Sequence, residues 1–248
     1  MKTLLILLLS AMTIFAQDIF LPEHDTTKQL LVYPGFTLQY NEEHEQADWV
    51  AYRLDLIELT PVVKRKDRFK SDKNVITGSA SLKDYKGSGY DRGHLAPAAD
   101  MRFSEETMLQ SFYMSNMSPQ LPGFNRGIWK ELEALVRDFA RDCEELHVVT
   151  GPVLSGGLKT IGENKVSVPD YYFKALLDIK EPEIKMIAFL LPNEKSSEDL
   201  TSFVVCVDSL ENLTGIDMFY QLADSLEIIL EAEINPDLWL GEPIKDSK

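Results

Sequence analysis

The 248-residue sequence predicts one α+β domain, because strand-like and helix-like segments follow one another in mixed order without regular alternation. Segments rich in Val, Ile, Phe and Tyr and bounded by Gly, Pro or Asn predict strands at 146–153, 171–179, 185–191 and 203–207. No fixed-period repeat and no long Gly/Ser/Pro linker divides the chain. The 44% of hydrophobic residues suffice for a substantial core.

The remaining elements follow from the spacing of apolar residues. Residues 49–59 broadly alternate apolar and polar side chains, which predicts a strand, and a basic loop follows. Residues 105–112 predict a short helix, and 218–231 a C-terminal one. Residues 125–143 predict a long amphipathic helix, since apolar residues recur at helical spacing: Ile128, Trp129, Leu132, Leu135, Val136 and Phe139.

The N-terminus predicts a secretory signal peptide over residues 1–16. Lys2 precedes an apolar run from Leu4 to Leu9, and the small residue Ala16 comes just before the polar Gln17. A membrane anchor would need about 20 apolar residues, so the run is too short for one. We therefore expect an exported protein, periplasmic or extracellular, with residues 17–248 as its single domain and no membrane anchor.

Two cysteines exclude a disulfide-rich scaffold and a four-cysteine zinc site. Export permits a disulfide between Cys143 and Cys206. Cys206 lies in an apolar, strand-like segment, where a free thiol behaves as a small hydrophobic group. A disulfide and two free thiols therefore both stay open.

Lys and Arg total 25 against 40 Asp and Glu, so the formal charge is −15. That balance alone argues against a nucleic-acid partner, because phosphate binding usually shows as a basic surface. Net charge is a sum over the whole surface, however, and basic residues concentrate in 64–73 and continue through Lys83, Lys86 and Arg92. A local basic groove on an acidic body would bind nucleic acid modestly and lose activity with added salt.

Chemistry is most evident around His94. The four histidines form no helical zinc-protease pair. His94 ends the segment Asp91-Arg92-Gly93-His94, which places an acid, a guanidinium and an imidazole within four residues. The segment joins a proton acceptor to an anion clamp, and Gly93 is expected to permit a tight turn.

A second polar segment follows at 115–120 and leads into the long helix. Asn125 stands where that helix is predicted to begin, so it is either the N-cap or an amide ligand for a hard cation. Glu133 comes eight residues later, roughly 80° further round the helix. It can therefore support a hydrated ion at the helix start.

Together these segments resemble the DNA/RNA non-specific endonuclease family. The resemblance rests on Asp-Arg-Gly-His, then Ser-Asn-x-x-Pro-Gln, then Asn-x-Gly-x-Trp-x-x-Leu-Glu, and extends from about Leu30 to about Leu230. It implies a central, mainly antiparallel β-sheet flanked by helices, with a ββα-metal active site. It also implies metal-dependent cleavage of DNA and/or RNA without sequence specificity, leaving 5′-phosphate ends. Some relatives form dimers, so a monomer and a homodimer both stay open.

The resemblance also assigns roles to individual residues. His94 would be the general base, and Asn125 the one protein ligand of Mg²⁺, for which Mn²⁺ could substitute. Glu133 would hold the waters of the ion. Arg92 and Arg65 would bind the scissile phosphate.

Asn116 would help to organise this site. The choice between Arg65 and Arg68 as the second phosphate clamp stays open. Two other functions also remain as alternatives: a catalytically silent nucleic-acid-binding or phosphate-binding protein, and a phosphodiesterase for a small substrate.

Overall fold

The computed structural model describes residues 20–240; the predicted signal peptide at 1–16 lies outside them. The strands are β1 (Gln29–Val32), β2 (Thr37–Asn41), β3 (Gln46–Asp55), β4 (Asp91–His94), β5 (Met117–Gln120), β6 (Glu145–Pro152), β7 (Thr160–Ile161), β8 (Val166–Ser167), β9 (Tyr171–Asp178), β10 (Lys185–Pro192) and β11 (Val204–Val205). The helices are α1 (Leu82–Tyr85), α2 (Glu105–Gln110), α3 (Pro122–Asn125), α4 (Ile128–Cys143), α5 (Val207–Thr214), α6 (Asp224–Ala232) and α7 (Asp237–Leu240). Two short 3₁₀ turns lie at Met114–Asn116 and Leu200–Phe203.

Seven strands form the central sheet in the order β1-β2-β3-β6-β9-β10-β11, and every neighbouring pair is antiparallel. This confirms the predicted α+β class and the mainly antiparallel sheet.

The sheet separates two apolar cores, because successive side chains of a strand point to opposite faces. On β3, Tyr52 belongs to the first core, together with Leu132 of α4. Its neighbour Ala51 belongs to the second core, together with Leu210 of α5 and Leu230 of α6. Helix α4 therefore covers one face of the sheet, and α5 and α6 cover the other.

A small ββα unit lies beside α4. Strand β4 pairs antiparallel with β5, so that Arg92 faces Pro119 and His94 faces Met117, and α3 and α4 follow directly. The tight turn expected at Gly93 is wrong, since Gly93 lies inside β4. It is glycine for a different reason: a Cβ there would lie 2.0 Å from the Gln120 side-chain oxygen.

Several predicted boundaries were wrong. The long helix begins at Ile128 rather than at Asn125, because Pro122 starts a separate one-turn helix and Gly127 breaks the continuation with φ −106° and ψ −116°. The C-terminal helix begins at Asp224 rather than at 218, since Phe219 has φ of 61°, which an α-helix does not accommodate.

The segment predicted as a strand at 203–207 is mostly not one. Only Val204 and Val205 pair with β10, and Cys206 precedes the unpredicted helix α5. Cys143 and Cys206 are both free thiols, and Cys143 is buried at the end of α4. Among residues 20–240, no helix combines the length and hydrophobicity needed to cross a bilayer.

Candidate active site

A cleft of about 480 Å³ lies where β4, α3 and α4 meet the segment around Arg65. It brings together five of the side chains that the sequence singled out: Arg65, Arg92, His94, Asn125 and Glu133. A larger hollow of about 770 Å³ elsewhere is lined by two histidines and a lysine but no arginine. The smaller cleft therefore holds the set of groups suited to phosphate chemistry.

His94 is enclosed by aromatic rings at the end of β4. The centroid of its ring lies 4.8 Å from that of Phe112 and 5.7 Å from that of Phe69, and the residue is only 9% exposed. Its Nε2 is sealed without a hydrogen-bond partner, which leaves Nδ1 as the nitrogen available to a water in the cleft. Burial, together with the Arg65 and Arg92 guanidiniums, lowers the pKa of His94 to about 3. The imidazole is therefore neutral at physiological pH and able to accept a proton.

The same two rings also position the arginines. The Arg92 guanidinium lies 4.2 Å from the centroid of Phe69, and that of Arg65 lies 5.4 Å from the centroid of Phe112. Such cation–π contacts contribute roughly 0.5–1 kcal/mol at exposed sites. Arg65 and Arg68 are both exposed, but only Arg65 lines the cleft.

Asn125 ends α3 and is oriented by Asp91. Its Nδ2 donates to Asp91 Oδ2 at 2.9 Å, and Arg126 donates to both oxygens of that carboxylate, at 2.8 and 2.6 Å. Burial opposes ionisation of Asp91, but the hydrogen bonds from Arg126 and Asn125 outweigh it and lower its pKa.

An ionised carboxylate only accepts hydrogen bonds, so Asn125 must direct Oδ1 away from Asp91. Within the described part of the chain Oδ1 has no donor, and Gly127 rather than Asn125 is the N-cap of α4. The N-cap alternative is therefore wrong. A free amide oxygen beside a carboxylate suits a hard divalent cation.

Glu133 also lines the cleft and stands at the edge of a buried layer of charge. Lys174 of β9 lies in this layer, with its Nζ 4.8 Å from the centroid of Trp129. Arg137 Nη1 donates to buried Asp100 Oδ1 at 2.8 Å. Burial raises the pKa of Glu133, while the positive charge of Lys174 opposes that rise. The Glu133 carboxyl group therefore ionises most readily when a cation lies beside it.

Asn116 does not line the cleft. Its buried side chain accepts from the Ala96 N–H at 2.9 Å and donates to the carbonyls of Ala96 and Ser111, both at 2.9 Å. Its polar atoms are thus occupied by Ala96, two residues after His94, and by Ser111 at the end of α2. Asn116 therefore ties the segment after His94 to the end of α2.

The sequence reasoning missed three contributors to the site: Phe69, Phe112 and Lys174. Only Lys174 carried a signal, since it is a charged residue inside an apolar strand. It shares the first-core face of β9 with Tyr172 and Leu176. Its Nζ donates to Thr150 Oγ1 at 3.1 Å. Burial lowers the pKa of Lys174, and the negative charges of Glu133 and Asp100 oppose that shift.

The chain resembles known nucleases over most of its length. Residues 17–225 match the family described as DNA/RNA non-specific endonuclease. A nuclease of Nostoc sp. is 33% identical over 218 residues, which cover 83% of this chain and 78% of that protein. Human mitochondrial endonuclease G is 34% identical over 203 residues, covering 76% and 68%. A chain of the crystal structure of the EndoG/EndoGI complex superposes with a TM-score of 0.75 and 29% identity, covering 79% of this chain and 87% of that one.

Proposed function

Since the chain belongs to the DNA/RNA non-specific endonuclease family and is a phosphodiester-hydrolysing endonuclease, we propose that the cleft around His94 is its catalytic site. There it cleaves DNA and RNA without sequence specificity and leaves 5′-phosphate ends. The observation that supports this most is the convergence in one cleft of a neutral imidazole, two arginines, an unengaged amide oxygen and a carboxylate.

Arg92 and Arg65 bind the scissile phosphate. Each guanidinium lies over an aromatic ring, which limits its motion and lowers the entropic cost of holding the anion. The phosphate also offsets the two positive charges that help to depress the pKa of His94. Substrate binding therefore raises that pKa towards the range in which a general base works well.

His94 accepts a proton from the attacking water at Nδ1. The sealed Nε2 and the packing of Phe69 and Phe112 fix the direction of the ring. Asn116 fixes the backbone that follows it. These contacts hold the base in position before substrate arrives.

Mg²⁺, or Mn²⁺ in its place, is the proposed cofactor. Asn125 would hold it through Oδ1, and Glu133 would accept hydrogen bonds from the waters around it. When bound, the ion supplies positive charge at the reacting phosphate and acidifies water so that the leaving 3′ oxygen can be protonated.

Cleavage assays on plasmid DNA and total RNA, with Mg²⁺ and then with EDTA, test this proposal. We expect both nucleic acids to be fragmented with Mg²⁺ and to survive in EDTA, with ends that ligate without prior phosphorylation. Binding without cleavage would favour a silent binding protein. Faster hydrolysis of a dinucleotide ester than of long duplex DNA would favour a small-substrate phosphodiesterase.

We further propose that residues 1–16 direct export to the periplasm or the medium. The protein recovered there should begin at Gln17 by N-terminal sequencing, and an intact Met1 would contradict cleavage. Light scattering on the purified protein decides between a monomer and a homodimer, because it distinguishes the mass of one chain from that of two.

A further inference from the structure

Five carboxylates meet on the sheet face opposite the cleft. Helix α5 carries two of them three residues apart, α6 carries two of them four apart, and the connection between these helices carries the fifth. Residues at these spacings share one helix face. The acidic cluster consists of Asp208, Glu211, Asp217, Glu227 and Glu231.

Glu231 lies at the centre of the cluster. Carboxylate oxygens of Asp208, Glu211 and Glu231 lie within 4.8 Å of one another. The same limit holds for Asp217, Glu227 and Glu231. The two groups of three therefore share Glu231 and form one continuous set of oxygen atoms.

The central carboxyl group is buried, and although it shares a hydrogen bond with Glu211, one of its oxygens lacks a partner. Glu231 is 6% exposed, and its Oε1 has no hydrogen-bond donor; Oε1 of Glu227 is also buried without one. Among the described residues, none of the five carboxylates forms an ion pair. A buried negative charge is strongly unfavourable unless a proton or a cation compensates it, and a cation is the group that could serve several of these carboxylates at once.

The surroundings also fix the cluster in place. The Met218 N–H donates to Glu211 Oε1 at 2.6 Å, which orients that side chain. Beneath it, Leu210 and Leu230 belong to the second core. Burial and repulsion by neighbouring acids, Glu211 first, raise the pKa of Glu231, so a cation that binds here displaces protons.

We propose that the acidic cluster is a binding site for Ca²⁺, separate from the catalytic cleft. Carboxylate oxygens alone select a hard cation, since the softer metals prefer imidazole or thiolate. Five acids call for a divalent ion rather than a monovalent one. Ligands from two helices and a loop suit the larger, irregular coordination shell of Ca²⁺ better than the strict octahedron of Mg²⁺. Bound Ca²⁺ would fasten α5 and α6 to each other over the second core.

Thermal melting of the full chain with EDTA and with CaCl₂ tests the proposal. The parent is the Asn125→Ala variant, which reduces ion binding in the cleft. Ca²⁺ at about 10 to 100 times its dissociation constant should raise Tm by about 3 to 10 °C. Calorimetric titration with Ca²⁺ should show the same site directly, without reference to nuclease activity.

Further variants assign the site to the cluster. Glu231→Gln should lose both the shift in Tm and the calorimetric signal, whereas Glu233→Gln, an exposed glutamate just beyond α6, should keep both. If Glu231→Gln does not fold, exposed Asp217 provides the test as Asp217→Asn, which should weaken Ca²⁺ binding at least tenfold. A parent that neither binds Ca²⁺ nor gains Tm overturns the proposal. So do cluster variants that bind Ca²⁺ like the parent, or a Glu233→Gln variant that loses binding equally.

Discussion

Asp91→Ala should weaken metal binding without destabilising the fold. Asp91 is the group that turns the Asn125 amide, because its ionised carboxylate accepts from Nδ2 at 2.9 Å. Without that acceptor the amide can rotate so that an N–H₂ group, which repels a cation, faces the cleft.

The magnitude follows from the hydrogen bond that is lost. A bond to a charged group contributes about 1.5–3 kcal/mol, which corresponds to about 10- to 100-fold in affinity. Asp91→Asn keeps a neutral acceptor worth about 1 kcal/mol, so the affinity for the ion should fall less, by about 2- to 30-fold. The ion pair with Arg126 contributes little to stability, because the arginine side chain is 71% exposed.

The assay is a Mg²⁺ titration of plasmid cleavage, with Mn²⁺ binding followed by electron paramagnetic resonance as a direct measure. We expect the half-saturating Mg²⁺ concentration to rise in the order wild type, Asp91→Asn, Asp91→Ala, while Tm changes by a few degrees at most. Asp142→Ala removes an exposed aspartate of α4 and should leave the titration unchanged. Equal half-saturation in wild type and a folded Asp91→Ala variant would refute the orienting role of Asp91.

Three further predictions concern the base, the phosphate clamp and the thiols. His94→Gln should lower cleavage about 10²- to 10⁴-fold. As the pH falls from about 6.5 to 3, wild type loses stability because His94 binds a proton in the unfolded chain but not in the folded protein. The variant should lose less stability over that range. Denaturant melts across that range check this, and parallel pH profiles would contradict it. Arg65→Gln should reduce the slope of log affinity against log salt by about 1 on duplex DNA, and an unchanged slope would remove Arg65 from the phosphate. Cys206 should react with a thiol reagent in the native protein and Cys143 only after unfolding, because burial and the Asp178 carboxylate raise the pKa of Cys143 to about 12; fast labelling of Cys143 would contradict this.

The sequence predicts best what depends on nearby residues. The alternation in β3 lies within one short segment, and so does the apolar stripe of α4. The structure confirms both elements. The groups of the cleft were also predictable as a set, because β4, β5, α3 and α4 follow closely along the chain. β4 pairs with β5 across a connection that contains α2, and α3 and α4 follow β5 directly.

Features that depend on distant contacts were not predictable in this way. The charge of Glu133 acts on Lys174 because β9 follows β6 in the sheet and presents Lys174 on the face that α4 covers. No local pattern in the sequence encodes that arrangement. The boundary at Asn125 was wrong because Pro122 and Gly127 divide one amphipathic stripe into two helices. Helical spacing survives such a break, so the periodicity of side chains does not reveal it.

Net charge was the least informative property, and the distribution of charge explains why. The cleft is lined by five Arg or Lys side chains, Arg65, Arg92, Arg126, Lys130 and Arg137, against the two acids Asp91 and Glu133. The acidic cluster, by contrast, gathers five carboxylates on the opposite face of the sheet. The formal charge of −15 is therefore the sum of a positive cleft and a strongly negative remainder of the surface. Since ionic screening acts over about 10 Å at moderate salt, a phosphate in the cleft interacts mainly with the nearby cations, whereas the remote acids disfavour other orientations of a long polyanion.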